Sequence, residues 1–334
     1  MKINYFDSKL NFGDELNSWL WSHFINDIES NKEFDALVPV GSLLCTWFLD
    51  RVKGKKTIIF SSGAGYGDLV DLQNGDFHVF GVRGKLTAKA FNLPETMAIG
   101  DGAALLSLVP DKEYFVSDSC GDDEKKIIFI PHHESLDDFD WEVMCSELGI
   151  EFVDPRNTSK YVASKIKNAK LVLAEAMHGA IFSDALRVPW IPVVTNHRIN
   201  TFKWLDWLSM YNLPFRPIYL GSPSFLLECE NKLRIKSNMA LFSFCNDISF
   251  YEKNIFSNVN ENKLKKITIS CVNKSIRCSY NLIGKSEKLR YNKVKKLMWD
   301  ATMLEGYLSH ESVFNERVNG LKEKLNELAD LLHR

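Results

Sequence analysis

The chain has 334 residues, of which 45% are hydrophobic and 25% charged, the composition of a folded water-soluble protein. At this length two domains are expected rather than one core. Forty-one Lys and Arg against 43 Asp and Glu give a formal net charge of −2, which excludes a uniformly basic protein that coats nucleic acid.

The sequence also disfavours a membrane-spanning or secreted protein and a protein held together by disulfides or a metal. No apolar run reaches the roughly 18 to 20 residues that cross a bilayer, and the first residues, MKINYFDSKL, lack a signal-peptide core, so a cytoplasmic protein is expected. The seven cysteines are scattered, and no pair has the CxxC spacing. We therefore expect reduced thiols, and neither a disulfide framework nor a bound metal.

The first part of the chain alternates short β-branched or aromatic runs with amphipathic segments, the pattern of a parallel sheet with crossover helices. Strands are predicted at residues 2–6, 36–40, 56–62, 77–82 and 96–100, and helices at 15–28, 42–52 and 85–91. These elements predict an N-terminal Rossmann-like domain over residues 1–115.

A polar stretch, residues 111–126, reads as a linker, and the alternation then restarts. Strands are predicted at 127–131, 150–154, 170–175, 190–194 and 217–220, and helices near 137–148, 158–169, 178–187 and 201–211. They predict a second Rossmann-like domain over 125–230, and two such α/β domains in tandem resemble the GT-B arrangement. Open α/β sheets bind ligands at the carboxyl ends of their strands, which predicts a site in the cleft between the domains.

Residues 231–334 form a basic C-terminal region that is expected to be partly helical. Between Lys253 and Lys296 there are twelve Lys or Arg and two acids, a net charge of +10 that leaves −12 for the rest. This segment either reaches an anionic membrane surface or pairs with acidic surfaces of the same chain or of a dimer mate. The end of the chain predicts an amphipathic helix, which packs on the body or on a partner subunit. Its apolar seam is Phe314, Val318, Leu321, Leu325, Leu328 and Leu332.

Three first-domain motifs follow predicted strands. NFGDELN (11–17) places Gly13 at a turn and Asp14 at a helix start, between the amides of Asn11 and Asn17. SSGAGYGD (61–68) fits a dinucleotide fingerprint poorly, and its glycines let the backbone approach a ligand or the other lobe. GVRGKLTA (81–88) suggests an anion site made of Arg83 and a helix start at Thr87, the alternative being an Arg bridging to an acid of the other lobe.

The segment that most strongly indicates a functional site is AEAMHGA (174–180), in the second domain. There His178 and Gly179 stand where a buried strand passes into a helix, so that an imidazole and free backbone N–H groups point to one place. PHHES (131–135) and DPR (154–156) end neighbouring strands. Another strand-end acid, Asp101 in GDGA, is equally well explained as a turn residue.

Together NFGDELNSWLW, GVRGKLTA, GDGA, DPR and LVLAEAMHGAIFSDALRVPWIPV resemble the polysaccharide pyruvyltransferase family, most closely its exopolysaccharide ketal-pyruvyltransferase branch. The resemblance covers roughly residues 1 to 220. It implies a GT-B-like double Rossmann fold that takes phosphoenolpyruvate as donor, without a separate cofactor, and forms a cyclic pyruvate ketal on a hexose. The hexose belongs to a surface polysaccharide such as a capsule, or to a precursor linked to a lipid such as undecaprenyl pyrophosphate. That acceptor would bring the enzyme to the inner face of the membrane, and a homo-oligomer is left open.

The family's R-L/M-H-G signature falls on Ala176, Met177, His178 and Gly179, so the histidine is kept and the arginine is absent. The donor carries a carboxylate and a phosphate, which suit a cationic pocket. The predicted donor-binding residues are Arg83, Arg156, Arg198, Lys203, Gly179 and Thr87. The predicted acceptor-binding residues are Asn11, Asn17, His132, His133 and Trp204.

Ketal formation asks for a general acid with a pKa near neutrality, and His178 is the predicted one. It would protonate the donor or its departing phosphate, while Asp14 or Glu134 accepts the proton of the sugar hydroxyl. Two alternatives remain open: a GT-B glycosyltransferase that uses a nucleotide sugar, and a catalytically inactive glycan-binding member of the assembly machinery.

Overall fold

The structure is a computed structural model, which describes residues 1–7, 9–26, 28–73, 75–114, 125–245, 247–249, 251 and 284–333. Its first sheet is parallel, with strand order β1-β2-β3-β4. The strands are β1 (Lys2–Ile3), β2 (Ala36–Val38), β3 (Thr57–Ser62) and β4 (Phe77–Val82). Every residue of β2 and β3 is buried, as expected for central strands of a parallel sheet covered on both faces.

The second sheet is also parallel, with order β6-β5-β7-β8-β9. Its strands are β5 (Lys126–Ile130), β6 (Glu151–Phe152), β7 (Ala169–Ala174), β8 (Trp190–Val194) and β9 (Ile218–Tyr219). We call residues 1–114 the first lobe and residues 125–245 the second lobe. The predicted α/β class with parallel sheets is confirmed. The predicted linker, 111–126, lies largely outside the described residues.

The helices that position the site follow strands. They are α1 (Phe12–Glu15), α2 (Thr46–Leu49), α3 (Lys85–Ala90), α4 (Trp141–Leu148), α5 (Ser159–Lys167), α6 (Met177–Ala185), α7 (Thr201–Leu208) and α8 (Phe225–Lys236). Apolar side chains of both lobes join in one core, where α6 packs on the 3-10 turn Gly102–Leu108 of the first lobe.

Two predicted elements of the first lobe are wrong. The helix expected at 15–28 is α1 followed by short 3-10 turns, because the backbone leaves helical geometry at Trp19, where φ is −139°. The strand expected at 96–100 is a 3-10 turn, Glu95–Met97, introduced by Pro94. Only Ala98 forms a parallel bridge, to Val82.

The C-terminal region contains α9 (Gly284–Thr302) and α10 (Glu311–Leu332). Helix α9 packs on the second lobe, against α4, α8 and β7, while α10 packs on the first lobe, against β4 and the Gly102–Leu108 turn. The predicted seam is buried from Phe314 to Leu328 and half-buried at Leu332, so this helix packs on the body of its own chain. Of the basic segment 253–296, residues 253–283 lie outside the described residues. No helix in the described ranges has the length and apolarity to cross a bilayer.

Candidate active site

The motifs NFGDELN and AEAMHGA meet between the lobes. Asn11 caps α1 by accepting a hydrogen bond from the Gly13 N–H at 3.1 Å. The imidazole of His178, in the first turn of α6, packs directly on Gly13, where a Cβ atom would lie 1.9 Å from Nδ1. The Phe12 N–H also donates to the carbonyl of Pro155 in the second lobe, at 3.0 Å. Glycine at position 13 therefore allows the two lobes to close on this histidine.

Three buried polar atoms lack hydrogen-bond partners among the described residues at this place: Nε2 of His178, Oδ2 of Asp101 and Oγ of Ser61. Nε2 and Oδ2 are 4.0 Å apart, and the His178 side chain is 12% exposed. Ser61, the last residue but one of β3, has φ at +63° and lies against Gly102, the neighbour of Asp101. An unpaired buried polar group costs about 1 to 3 kcal/mol, and backbone strain of this kind concentrates at functional sites.

The electrostatics of the site are dominated by burial. Burial, with the nearby charges of Lys203 and Arg83, lowers the pKa of His178 to about 3. Burial raises the pKa of Asp14 to about 7 and that of Asp101 to about 6, and Lys203 opposes both shifts. The expectation of a near-neutral pKa for His178 is thus wrong for the unliganded protein: the ring is neutral at pH 7, and Asp14 is the group poised to titrate there.

Lys203 on α7 is the cation that these groups share. Its charge contributes to the pKa shifts of Asp14, Asp101, His178 and both histidines of the PHHES motif. Its Nζ lies 3.2 Å from the hydroxyl of Tyr66 and 4.8 Å from the centre of that ring. The lysine stem packs on Gly65, where a Cβ atom would lie 2.9 Å from Cγ. The glycine-rich loop therefore admits a cation from the second lobe, as one reading of its sequence predicted.

The GVRGKLTA junction holds an internal anion, the carboxylate of Asp206 in the second lobe. Arg83 is fully buried and donates from Nε to Asp206 at 2.8 Å. Its other nitrogens donate to Ser42 Oγ at 2.8 Å and to the Ala64 carbonyl at 2.6 Å. The N–H and hydroxyl of Thr87 also donate to Asp206. The alternative of a bridge to an acid of the other lobe is what the structure contains, and donor binding by Arg83 and Thr87 does not fit, because Asp206 already engages them.

At the strand ends of the second lobe, Glu134, His132 and His133 lie beside Arg198. The two imidazole rings are 4.3 Å apart, and burial lowers the pKa of both. Arg198 forms ion pairs with Glu134 at 3.6 Å and with Asp138. This guanidinium is therefore partly neutralised by its own neighbours, which leaves Lys203 as the better candidate for an added anion.

Four predicted residues do not reach the site as expected. The Arg156 side chain is 54% exposed and forms a forked pair with Asp154, two residues earlier in the chain, at 2.5 Å. Trp204 is buried and stacks on Phe215 with ring centroids 5.1 Å apart, so acceptor stacking does not fit it. Asn17 is buried and donates to the carbonyl of Val40. Gly179 packs against the apolar side chains of Ile130 and Ala174.

Sequence reasoning missed Asp206 and Glu175, and it left Asp101 as an equal turn candidate. Glu175 is buried and accepts hydrogen bonds from the His132 N–H at 2.9 Å and the Thr195 N–H at 2.7 Å, so it fixes the start of the PHHES turn. Asp206 and Glu175 each interrupt an apolar run, WLDWL and LVLAEA. A carboxylate in a buried run needs partners, and that is the signal that could have found them.

No group of three or more His, Cys, Asp or Glu side chains is placed to hold a metal ion within the described residues. The candidate site consists of two carboxyl groups, a neutral imidazole and one lysine, of which Asp101 is buried and the other three are half-buried. Such a set can bind an anion and move protons close to neutral pH.

Comparisons with known proteins show the family of this chain. The sequence model for polysaccharide pyruvyl transferase matches residues 2–197. The chain is 36% identical over 222 residues to the succinoglycan biosynthesis protein ExoV of Rhizobium meliloti (strain 1021), covering 65% of this chain and 67% of that protein. The comparison with solved structures gave no match. The chain therefore belongs to the polysaccharide pyruvyl transferase family.

Proposed function

We propose that this pyruvyltransferase moves the pyruvyl group of phosphoenolpyruvate onto two hydroxyls of one hexose, forming a cyclic ketal. The observation that carries the proposal is the packing of His178 on Gly13, beside Asp14, with Asp101 4.0 Å from Nε2 of His178 and the charge of Lys203 acting on the ring. The hexose belongs to a surface polysaccharide or to its lipid-linked precursor. The match to a succinoglycan biosynthesis protein supports an exopolysaccharide acceptor.

In this proposal Lys203 takes the part of the arginine that Ala176 replaces. Ala176 is the N-cap of α6, directly before the helix turn that bears His178. Lys203 approaches from α7 and acts electrostatically on His178. The donor's phosphate or carboxylate would bind between Lys203 and the start of α6, where backbone N–H groups and a positive side chain favour an anion.

The proposed reaction balances without a further reactant. A proton adds to the methylene carbon of the donor, the first sugar oxygen bonds to C2, phosphate leaves, and the second sugar oxygen closes the ring. Two hydroxyl protons are released; one ends on the new methyl group and the other on phosphate. Asp14, with a pKa of about 7, is proposed to accept a hydroxyl proton, in preference to the half-buried Glu134.

His178 is proposed to act in the donor complex. Its pKa is low in the free protein because burial and two cations disfavour the imidazolium. A bound phosphate and carboxylate would offset those cations and raise this pKa, so the ring takes up a proton as the donor binds. It is then placed to give that proton to the donor or to the departing phosphate.

The test is phosphate release from phosphoenolpyruvate in the presence of a pyranoside acceptor. His178→Ala is expected to lower the rate by more than about 100-fold, the contribution typical of a general acid. Stabilisation against heat by phosphoenolpyruvate, and not by UDP or UDP-hexoses, is the matching binding result. Retention of most of the rate by His178→Ala would contradict the role, and stabilisation by UDP alone would favour a glycosyltransferase.

We propose a GT-B-like arrangement of two Rossmann-like domains, with residues 231–334 as a third region. The two parallel sheets support it, and the polar side chains of the candidate site follow their strands. No separate cofactor is part of the proposal, because the donor already carries an activated pyruvyl group. Full activity after treatment with EDTA is the expected result.

We also propose that the enzyme works at the cytoplasmic face of the membrane. Three lysines of the basic segment, Lys288, Lys293 and Lys296, are exposed on α9. Each such charge near an anionic bilayer contributes about 1 kcal/mol. Sedimentation with phosphatidylglycerol vesicles at low and high salt tests this, and absence of binding at low salt would remove the idea. An assembly of several copies stays a prediction for size-exclusion chromatography with light scattering.

A further inference from the structure

We propose that Trp47 forms, with Phe6 and Tyr66, a stacking platform for a pyranose ring of the acceptor glycan. Trp47 is 46% exposed, whereas Trp21, Trp141, Trp190 and Trp207 are fully buried. The inference rests on the proposed function for the identity of the sugar, and it replaces the stacking role predicted for the buried Trp204.

The three aromatic side chains lie beyond the carboxyl ends of three neighbouring strands. Phe6 follows β1, Trp47 lies on α2 after β2, and Tyr66 follows β3. Trp47 and Phe6 are in edge-to-face contact, with centroids 5.9 Å apart and planes at 86°. This edge of a parallel sheet is where open α/β folds bind their ligands.

The platform is joined to the candidate active site through the glycine-rich loop. The N–H and hydroxyl of Thr46 both donate to the carbonyl of Asp68, at 3.0 and 3.1 Å, which ties the start of α2 to the end of the loop. Gly67, with φ at +69°, passes so close to Trp47 that a Cβ atom would lie 3.2 Å from the indole Cδ1. Two residues earlier, Gly65 packs on Lys203, and Tyr66 contacts its ammonium group.

The chemistry fits a sugar better than an apolar ligand. Aromatic rings present an apolar face to the C–H side of a pyranose while leaving its hydroxyls free for polar partners. The partners here are the hydroxyl of Tyr66 and the charged and polar groups around Lys203. A ring stacked on Trp47 would therefore extend toward the atoms proposed to carry out the transfer, so that one residue of a glycan is held while a neighbouring residue or hydroxyl pair reacts.

The full-length protein can be tested with methyl β-D-glucopyranoside, methyl β-D-galactopyranoside and cellobiose as probes, by saturation-transfer difference NMR and by the rate of phosphate release at saturating phosphoenolpyruvate. Trp47→Ala is expected to weaken binding of the best probe about tenfold, whereas Trp47→Phe stays within about threefold of wild type. Trp299→Ala is the matched control, since Trp299 is also 46% exposed but lies on α9. It is expected to bind like wild type.

Equal binding by the Trp47→Ala and Trp299→Ala variants would overturn the proposal, as would failure of the wild-type protein to bind any of the probes. Thermal unfolding checks that each variant is folded. The proposed function fails separately: if phosphoenolpyruvate neither stabilises the protein nor releases phosphate while sugars still bind through Trp47, the platform stands and the donor assignment falls. If phosphoenolpyruvate binds but Trp47→Ala does not weaken sugar binding, the donor assignment stands and the platform falls.

Discussion

The strand–turn–helix junctions at Arg83 and at His178 have the same order of elements but differ in how their buried polar groups are paired. Each follows a parallel strand, β4 or β7, and leads into a helix, α3 or α6. At the first junction, Asp206 from the other lobe binds both the guanidinium and the helix start. At the second, Nε2 of His178 has no hydrogen-bond partner among the described residues, lies 4.0 Å from Asp101 Oδ2 and is within the electrostatic influence of Lys203. The first junction holds the lobes together, and the second is the one proposed to take part in the transfer.

This difference teaches how an anion site is to be judged. Arginine, glycine and a helix start attract an anion wherever they occur, but the anion can be part of the protein. What separates the two junctions is whether buried donors are already satisfied, because an unsatisfied buried group is costly and persists where function requires it.

The largest effect is expected from breaking the ion pair at the Arg83 junction. Asp206→Asn removes the charge that pairs with fully buried Arg83, and losing one partner of a buried pair costs about 3 to 5 kcal/mol of unfolding free energy. Urea denaturation measures it. Glu95→Gln, which removes an exposed ion pair with Lys85, is the control and should leave the midpoint unchanged. If Asp206→Asn were as stable as this control, Asp206 would not hold the lobes together, and Arg83 would again be available to a substrate.

At the His178 junction we expect a smaller effect on stability and a clear effect on donor binding. Lys203→Met should raise the KM for phosphoenolpyruvate about 10- to 100-fold, the loss of one hydrogen-bonded charge, with an unfolding midpoint close to wild type. Steady-state kinetics at fixed acceptor measure it. Lys56→Met is the matched control, because Lys56 precedes β3 at the opposite end of the sheet and pairs with Glu33.

Arg156→Ala sharpens the same comparison. The sequence predicts a donor ligand here, whereas the structure places the guanidinium on the surface beside Asp154. An unchanged KM for this variant, together with a raised one for Lys203→Met, would assign the donor charge to α7. The opposite pattern would restore the prediction made from the sequence.

The sequence predicts most strands of this fold, because buried parallel strands are continuous apolar runs, which can be recognised without knowledge of their tertiary contacts. It also predicts His178 and Asp14 as site residues, since each follows a parallel strand, and the structure brings the two segments together where His178 packs on Gly13. It does not reveal that Asp206 fills the Arg83 junction, because that partner lies more than a hundred residues away. Nor does it distinguish Trp47 from Trp204, because burial of an aromatic side chain depends on which helix covers it.

The last expected effect concerns the ionisation of Asp14, whose side chain is half-buried. Burial raises its pKa to about 7, while an unfolded Asp titrates near about 4. Between these values the folded state binds more protons than the unfolded one, so the free energy of unfolding falls as pH rises from about 4 to 7 and stays lowered above that. Asp14→Asn cannot ionise and should be more stable than wild type at pH 8, by a margin that narrows toward pH 5. Thermal unfolding across this range measures it, with Asp7→Asn on the exposed surface as the control. As the proposed base, Asp14 should make the transfer rate of the wild-type protein rise as the pH passes about 7, and the Asp14→Asn variant should lose that rise. A constant margin at every pH, with the rise retained, would show that Asp14 stays ionised throughout and would move the base to Glu134 or Asp101.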